Sequence, residues 1–257
     1  MVTFLLKKSY QHKNLKEVKF QDLWGDHGIF TTMWIFGKPP KILFFDNHIR
    51  NLIRSLTKYR IKKKSLRKNI IELLNKNLSK KINYNHLLRI AVNNEIISIS
   101  LRKRYTPKLD FSLKLVDLKR DNPEYKNLKY KKILSHLKRI DNSRSDIGIV
   151  NQNKVLETGT SNLLFIKDKK VFTPKKNYYQ GHTFKYFRSK IKNIIKKDIF
   201  KKDLKRYDEI LLIGSGKGVT SVKRISQINW KRKSLKNYKI FSNHYKIAIK
   251  RCNTYKF

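Results

Sequence analysis

The sequence predicts an α+β fold in two subdomains, residues 1–119 and 124–257, on three observations. Apolar and β-branched runs bounded by Gly, Pro or Asn outnumber 3.6-periodic segments in both halves. The pattern lapses over Arg120–Pro123, where the boundary is placed. No internal repeat or low-complexity linker interrupts the rest, so two packed mixed layers account for the chain better than an array does.

The elements follow in order. Ile29–Ile35 and Ile42–Phe45 flank Gly37-Lys38-Pro39-Pro40 and read as a hairpin with a Pro-blocked loop. Asn47 can cap a helix from His48 to Tyr59, and Leu66, Ile70, Leu73, Leu74 and Leu78 give a second helix over Ser65–Lys80. Leu87–Val92 and Ile96–Arg102 read as strands joined by Asn93-Asn94, a pair tolerant of positive φ, and Phe111–Leu118 as another strand. Beyond the boundary a helix is expected over Lys129–Ile140, then strands Asp146–Val150 and Val155–Glu157. A hairpin of Leu163–Ile166 and Val171–Thr173, turned at Asp168-Lys169, comes next. Phe184, Phe187, Ile191, Ile194 and Ile195 predict a helix from Thr183 to Lys197. A buried strand, Ile210–Ile213, leads through Gly214-Ser215-Gly216-Lys217-Gly218 into Val219–Val222, and an amphipathic helix over Tyr238–Cys252 closes the pattern.

With 257 residues, 39% of them hydrophobic and including 14 Phe and 13 Tyr, the chain can bury a sizeable core. A net charge of +44 first suggests a polyanionic partner, but lysine is scattered through nearly every segment beside an excess of Asn and Ile. That is the signature of a compositional bias such as an AT-rich genome produces, and no specific nucleic-acid partner is expected. Lys62-Lys63-Lys64 and Lys196-Lys197 read as solvated faces. The single cysteine, Cys252, excludes an internal disulfide and a cysteine-based zinc site. No apolar run reaches the roughly 18 residues of a membrane span. Met1-Val2-Thr3-Phe4-Leu5-Leu6-Lys7 lacks a signal-peptide pattern, so a cytoplasmic location is expected. Histidines 12, 27, 48, 86, 136, 182 and 244 are dispersed without ligand spacing, and no metal is expected.

The glycine-rich turn does not have the four-residue spacing of a nucleotide-binding P-loop. Its backbone N–H groups and the Ser215 hydroxyl can still face a phosphate. Preceding it are an isolated candidate lysine, Lys126, and Glu157-Thr158-Gly159-Thr160-Ser161-Asn162-Leu163. That order of parts suggests pyridoxal-phosphate chemistry: a lysine to carry the cofactor as a Schiff base, a carboxylate for its ring nitrogen, and small residues for its phosphate.

These motifs together resemble the class IV, branched-chain and D-amino-acid aminotransferase-like, family of pyridoxal-phosphate enzymes. The resemblance runs in order through Gly25-Asp26-His27-Gly28-Ile29-Phe30-Thr31-Thr32, His48-Ile49-Arg50-Asn51-Leu52, Tyr125-Lys126-Asn127-Leu128, Glu157 to Asn162, Thr173-Pro174, Gln180-Gly181-His182-Thr183 and Ile213 to Val222. It implies two subdomains with pyridoxal 5′-phosphate between them and active sites completed in a homodimer. Lys126 would hold the cofactor, Glu157 its ring nitrogen, and Thr183, Ser215 and Gly216 its phosphate.

The chain departs from the family in two places. Asn51 stands where the family has a phosphate-binding arginine, and Arg54, one turn later, is the candidate replacement, with Arg50 adjacent. His27 disturbs the family's Gly-Asp-Gly. Where transaminases carry Glu after the aromatic residue of the first motif, this chain reads Phe30-Thr31-Thr32. That form is similar to aminodeoxychorismate lyase, which makes 4-aminobenzoate for folate. The resemblance implies that the substrate's amino group displaces Lys126, the released amine takes a proton, and elimination yields 4-aminobenzoate and pyruvate. Thr31 would donate a hydrogen bond or proton to the leaving group. Three readings stand: that lyase; an aminotransferase of D-amino or branched-chain acids, which needs a 2-oxo acid acceptor; and a non-catalytic basic binding protein.

Overall fold

The computed structural model describes residues 4–61, 64–191 and 193–257, so the first three residues, Lys62, Lys63 and Lys192 lie outside the described residues. The chain divides into two units: Met1–Arg104 with Tyr125–Lys131 and Arg251–Phe257, and Tyr105–Glu124 with Lys132–Lys250.

The first unit contains β1 (Phe4–Gln11), β2 (Glu17–Val18), β3 (Ile29–Gly37), β4 (Lys41–Ile42), α1 (Phe45–Lys58), α2 (Leu66–Asn77), β5 (Tyr84–Val92) and β6 (Ile96–Lys103). Its six strands form an antiparallel sheet in the order β2-β1-β6-β5-β3-β4. Alternation decides what each face of β3 does. Ile29, Met33 and Ile35 join Ile49, Leu52 and Leu56 of α1 and Ile70, Leu73 and Leu74 of α2 in one core, while Phe30, Thr32 and Trp34 point to the opposite face.

Three local expectations are revised in this unit. Only Leu43 and Phe44 separate β4 from helix α1, which starts before Asn47 and is entered through Phe44 in the left-handed region with no side-chain cap. The β5–β6 turn is not built on positive φ; the Asn93 carboxamide oxygen instead accepts the N–H groups of Glu95 and Ile96 at 2.9 and 2.8 Å. Strand β1 was not expected at all, because Lys7-Lys8 breaks its apolar alternation and only Ser9 and Tyr10 of its residues are buried.

The second unit contains β7 (Ser112–Asp117), α3 (Lys131–Leu137, its first residue belonging to the first unit), β8 (Ser145–Asn151), β9 (Lys154–Thr158), β10 (Asn162–Lys167), β11 (Lys170–Pro174), α4 (His182–Lys190), β12 (Ile194–Lys197), β13 (Glu209–Gly214), β14 (Gly218–Ser221), β15 (Arg224–Ile225), β16 (Trp230–Lys231) and α5 (Lys236–Lys250). They make two five-stranded sheets, β12-β11-β10-β13-β14 and β16-β15-β7-β8-β9. Phe111, Leu115, Val155, Leu163, Phe165, Ile210, Leu212 and Trp230 share the core. At the tight turn between β10 and β11, Asp168 and Lys169 both take positive φ, 48° and 62°, as a two-residue hairpin requires.

The helix expected to reach Lys197 stops at Lys190. Asn193 turns left-handed at φ 71°, and Ile194–Lys197 continues as β12, parallel to β11 with Ile194 beside Val171. Paired β-branched Ile194 and Ile195 suit a strand, and Ile195 is 40% exposed rather than buried on a helix face.

The division of the chain also falls elsewhere than at 119. Segment 105–124 belongs with the second unit because β7 pairs in parallel with β8. Tyr125–Lys131, carrying Lys126, belongs with the first because it is hydrogen-bonded to the start of β3. Phe30 N–H donates to the Lys126 carbonyl, Leu128 N–H to that of Gly28, and Gly25 N–H to that of Leu128, all at 2.9 Å.

Candidate functional site

Candidate residues fall into two groups, one in each unit. In the first, an antiparallel bridge between Ile29 and Asn127 lays Lys126 beside β3. Gly28 makes that approach possible: a Cβ there would come within 2.4 Å of the Val92 carbonyl oxygen and 2.6 Å of Leu128 Cδ1. His27, the residue that interrupts the family pattern, turns outward, stacks on Tyr59 at 5.1 Å and bonds the Tyr59 carbonyl through Nε2 at 2.9 Å.

Lys126 is half-buried. Its Nζ lies 4.7 Å from the centre of the Phe30 ring and 6.0 Å from that of Tyr130. Trp24 closes the cluster, edge-on to Phe30 at 4.8 Å and stacked on Tyr130 at 5.7 Å. On the same face, Arg89 pairs with Thr32 across β5 and β3, and its guanidinium carbon sits 3.7 Å from the Trp24 ring centre. One nitrogen of that guanidinium donates to the Asp22 carbonyl at 2.6 Å, while Nε is buried without a hydrogen-bond partner. Burial pulls Arg89 down to about 9 despite the opposing pull of Asp22. It stays cationic at neutral pH, and a desolvated cation with an unsatisfied N–H gains from an anionic ligand.

Thr31 stands on the other face. Its hydroxyl is 2.7 Å from Nδ1 of buried His48 on α1, with the donor set by the ring's tautomer. Thr32, half-buried, shares the face of Phe30, Arg89 and the Lys126 amine. Arg54 is exposed on α1, and neighbouring Arg50 donates to the Asn47 side chain at 2.8 Å and to the Asp46 carbonyl.

In the second unit, Glu157 is the penultimate residue of β9, its carboxylate buried and ion-paired to Arg120, the side chains of both being 7% exposed. The second carboxylate oxygen receives the Tyr179 N–H at 3.4 Å. Burial, opposed by Arg120, pushes the Tyr179 phenol up. Asn162 joins the parts around Glu157: its amide donates to the Tyr179 carbonyl, and its oxygen accepts the Gly181 N–H at 2.9 Å.

Gly181 is the N-cap of α4 and supplies no side chain, leaving the positive end of the helix dipole uncapped by one. Thr183, in the first turn, is 1% exposed, and its hydroxyl finds no partner among the described residues. Next to it in the fold, α4 packs on β13, which ends at the Gly214–Gly218 hairpin carrying Ser215 and Gly216. A Cβ on Gly214 would meet Ser161 Oγ at 2.7 Å, so the close seating of this turn on the Glu157–Asn162 segment requires glycine.

These observations test the fit of pyridoxal 5′-phosphate. A buried hydroxyl without a partner at a helix N-terminus, beside a glycine-rich turn, suits a phosphate. A buried carboxylate held by arginine suits a ring nitrogen, and an amine above aromatic rings suits a carbonyl partner. Each set, within its own unit, fits the part of the group it would hold. Sequence reasoning did not single out Trp24, Arg89, Tyr130 or Arg120, and it quoted Asn162 within a motif without a role; only the alternation of β5 opposite β3 offered a signal for Arg89. Among the described residues there is no cluster of three metal-ligating side chains and no helix long and apolar enough to cross a membrane.

The family described as amino-transferase class IV matches residues 28–225. A search of curated proteins gave no match. Among solved structures, a branched-chain aminotransferase of Thermoproteus uzoniensis with norvaline superimposes with a TM-score of 0.75 at 15% identity, covering 95% of each chain. The holo-form of a branched-chain amino acid aminotransferase of Thermobaculum terrenum gives 0.73 at 15% identity, covering 95% of this chain and 94% of that one. A Legionella pneumophila protein, assigned by its describers only provisionally as a 4-amino-4-deoxychorismate lyase, gives 0.66 at 18% identity, covering 85% and 91%.

Proposed function

Because the chain belongs to the amino-transferase class IV family, whose members are pyridoxal 5′-phosphate enzymes, we propose that it transfers the amino group of an apolar amino acid to a 2-oxo acid. The observation that carries this reading is the Lys126 amine set over Phe30, in a wall of Trp24 and Tyr130, with desolvated Arg89 on the same face. Rings of this kind accept an apolar side chain and exclude water, and the guanidinium of Arg89 holds a carboxylate.

Bound pyridoxal phosphate supplies an electron sink that acidifies the C–H bond next to the substrate's nitrogen. Lys126 would anchor it through its ε-amine, and the same amine, when free, would take and return that proton. Glu157 would face the ring nitrogen, its carboxylate oriented by the ion pair with Arg120. Thr183, Ser215 and Gly216 would hold the phosphate, and Arg54 is the cation this chain offers in place of an arginine at 51.

A second reading, 4-amino-4-deoxychorismate lyase, is favoured by one observation: the strand puts a threonine hydroxyl, Thr32, on the face of the Lys126 amine. There it can donate to the oxygen of a departing enolpyruvyl group. The alternation of β3 favours Thr32 over Thr31 for that role, since Thr31 faces α1.

The test is an absorbance titration of the protein with pyridoxal phosphate, followed by substrate. A visible band lost in Lys126→Ala, with amino transfer from leucine or valine that requires 2-oxoglutarate, supports the transaminase. Pyruvate and 4-aminobenzoate formed from 4-amino-4-deoxychorismate without an acceptor would replace it by the lyase. No band with the wild-type protein would remove both.

A further inference from the structure

Asp146, on β8, is completely buried and belongs to none of the roles above. Its carboxylate accepts the hydroxyls of Thr158 at 2.9 Å and Thr160 at 2.6 Å, and the Ile147 N–H at 2.8 Å. Its charge is balanced by Lys217, 8% exposed, whose Nζ is 4.0 Å away and donates to the Asn142 carbonyl at 2.8 Å. A buried charge of this kind persists only when it is paired and hydrogen-bonded.

What the network joins is more informative than its strength. Thr158 directly follows Glu157, and its hydroxyl also accepts the Ser161 N–H at 2.8 Å, which fixes the loop leading to Asn162. Lys217 directly follows Ser215 and Gly216 in the β13–β14 turn. One carboxylate therefore ties the segment bearing the ring-nitrogen acid to the turn bearing the phosphate donors.

We infer that Asp146, with Lys217, is a positioning residue that sets the spacing between Glu157 and the Ser215-Gly216 turn, and so lets one pyridoxal phosphate molecule engage both ends at once. The inference rests on the reading that these residues hold that cofactor. It predicts a specific defect. A molecule that bridges two subsites gains affinity from their preset spacing, whereas a fragment held at one end does not.

The test compares binding of pyridoxal phosphate, of pyridoxal and of inorganic phosphate to cofactor-stripped protein. Asp146→Asn is expected to weaken pyridoxal phosphate about tenfold, the scale of a lost hydrogen bond to a charged group, while pyridoxal and phosphate each stay within about twofold. Thr160→Val, which removes one of the hydroxyls at a half-buried position, should give a smaller shift with the same selectivity and decides the matter if Asp146→Asn does not fold. Equal weakening of all three ligands, or unchanged affinity for pyridoxal phosphate in a folded variant, overturns the inference. If the wild-type protein takes up pyridoxal but gains nothing from the phosphate, the phosphate assignment fails instead; if it takes up neither, the cofactor reading fails.

Discussion

Around Lys126 the fold surrounds one amine with rings, whereas around Glu157 it surrounds one carboxylate with arginine and hydrogen-bond donors. The first group depends on apolar packing and on the alternation of β3 and β5, so its functional groups project from a core that does not need them. In the second group the candidate carboxylate is itself part of the buried framework. The difference teaches where function and stability can be separated. Substitutions beside Lys126 should affect them separately, and substitutions around Glu157 should affect both at once, because buried polar networks respond non-additively.

The largest expected effect is that of Lys126→Ala. Losing the anchoring amine should lower turnover by at least about 10³-fold, while unfolding stability stays within about 1 kcal/mol because the side chain is only half-buried. Steady-state rates and urea unfolding on the same preparation check both parts. A large stability loss would mean that the amine belongs to the framework after all.

Glu157→Gln comes next and should break the comparison from the other side. Under the proposed assignment this removes the charge meant for the ring nitrogen, which should slow turnover about 10²-fold. The buried ion pair with Arg120 is broken, at a cost of about 3 kcal/mol in folding stability. Double substitution with Arg120→Met should restore part of the stability and none of the turnover. Stability unchanged in the single variant would show that the pair is not holding the loop.

The two adjacent threonines sharpen the comparison within one strand. Thr31→Val removes the hydrogen bond to Nδ1 of buried His48 and should cost about 1 kcal/mol with turnover nearly unchanged. Thr32→Val should leave stability within about 0.5 kcal/mol. If the lyase reading holds, it lowers turnover about tenfold or more. The reverse pattern would reassign the faces of β3.

That pair also shows what the sequence disclosed. The alternating runs and 3.6-periodic segments identified most elements, because burial on one face imposes a period on side chains whatever the partner. Motif order picked out Phe30-Thr31-Thr32, but which threonine meets the amine is a matter of register against Arg89 and the placement of Lys126. The segment 125–131 carries no strand pattern; it joins the first unit through three backbone hydrogen bonds, which side-chain identities do not encode. Asp146 was read only as the start of a strand, since a buried carboxylate and an exposed one look alike until the hydroxyls of Thr158 and Thr160 are seen to converge on it. Ile194 and Ile195 fitted both a helix face and a strand, and pairing with β11 decided between them.

The smallest effect is expected at Arg54, and it follows from exposure. A phosphate at a helix N-terminus with neutral donors such as Thr183 and Ser215 gains from a cation, and the resemblance puts that cation at 51, where this chain has Asn51. Arg54 lies one helical turn further and is exposed, so its field is screened by water and salt and it loses side-chain freedom on binding. Arg54→Ala should weaken pyridoxal phosphate about threefold at low salt and leave pyridoxal unchanged. Because the Debye length is about 10 Å at 0.1 M and about 3 Å at 1 M, the difference should shrink as salt is raised. Affinity that is the same with and without Arg54 at every salt concentration would mean that the helix terminus and the Gly214–Gly218 turn hold the phosphate without help from α1. A loss that persists at high salt would mean instead that the guanidinium bonds the phosphate directly, and would move Arg54 from the exposed surface of α1 into the binding machinery.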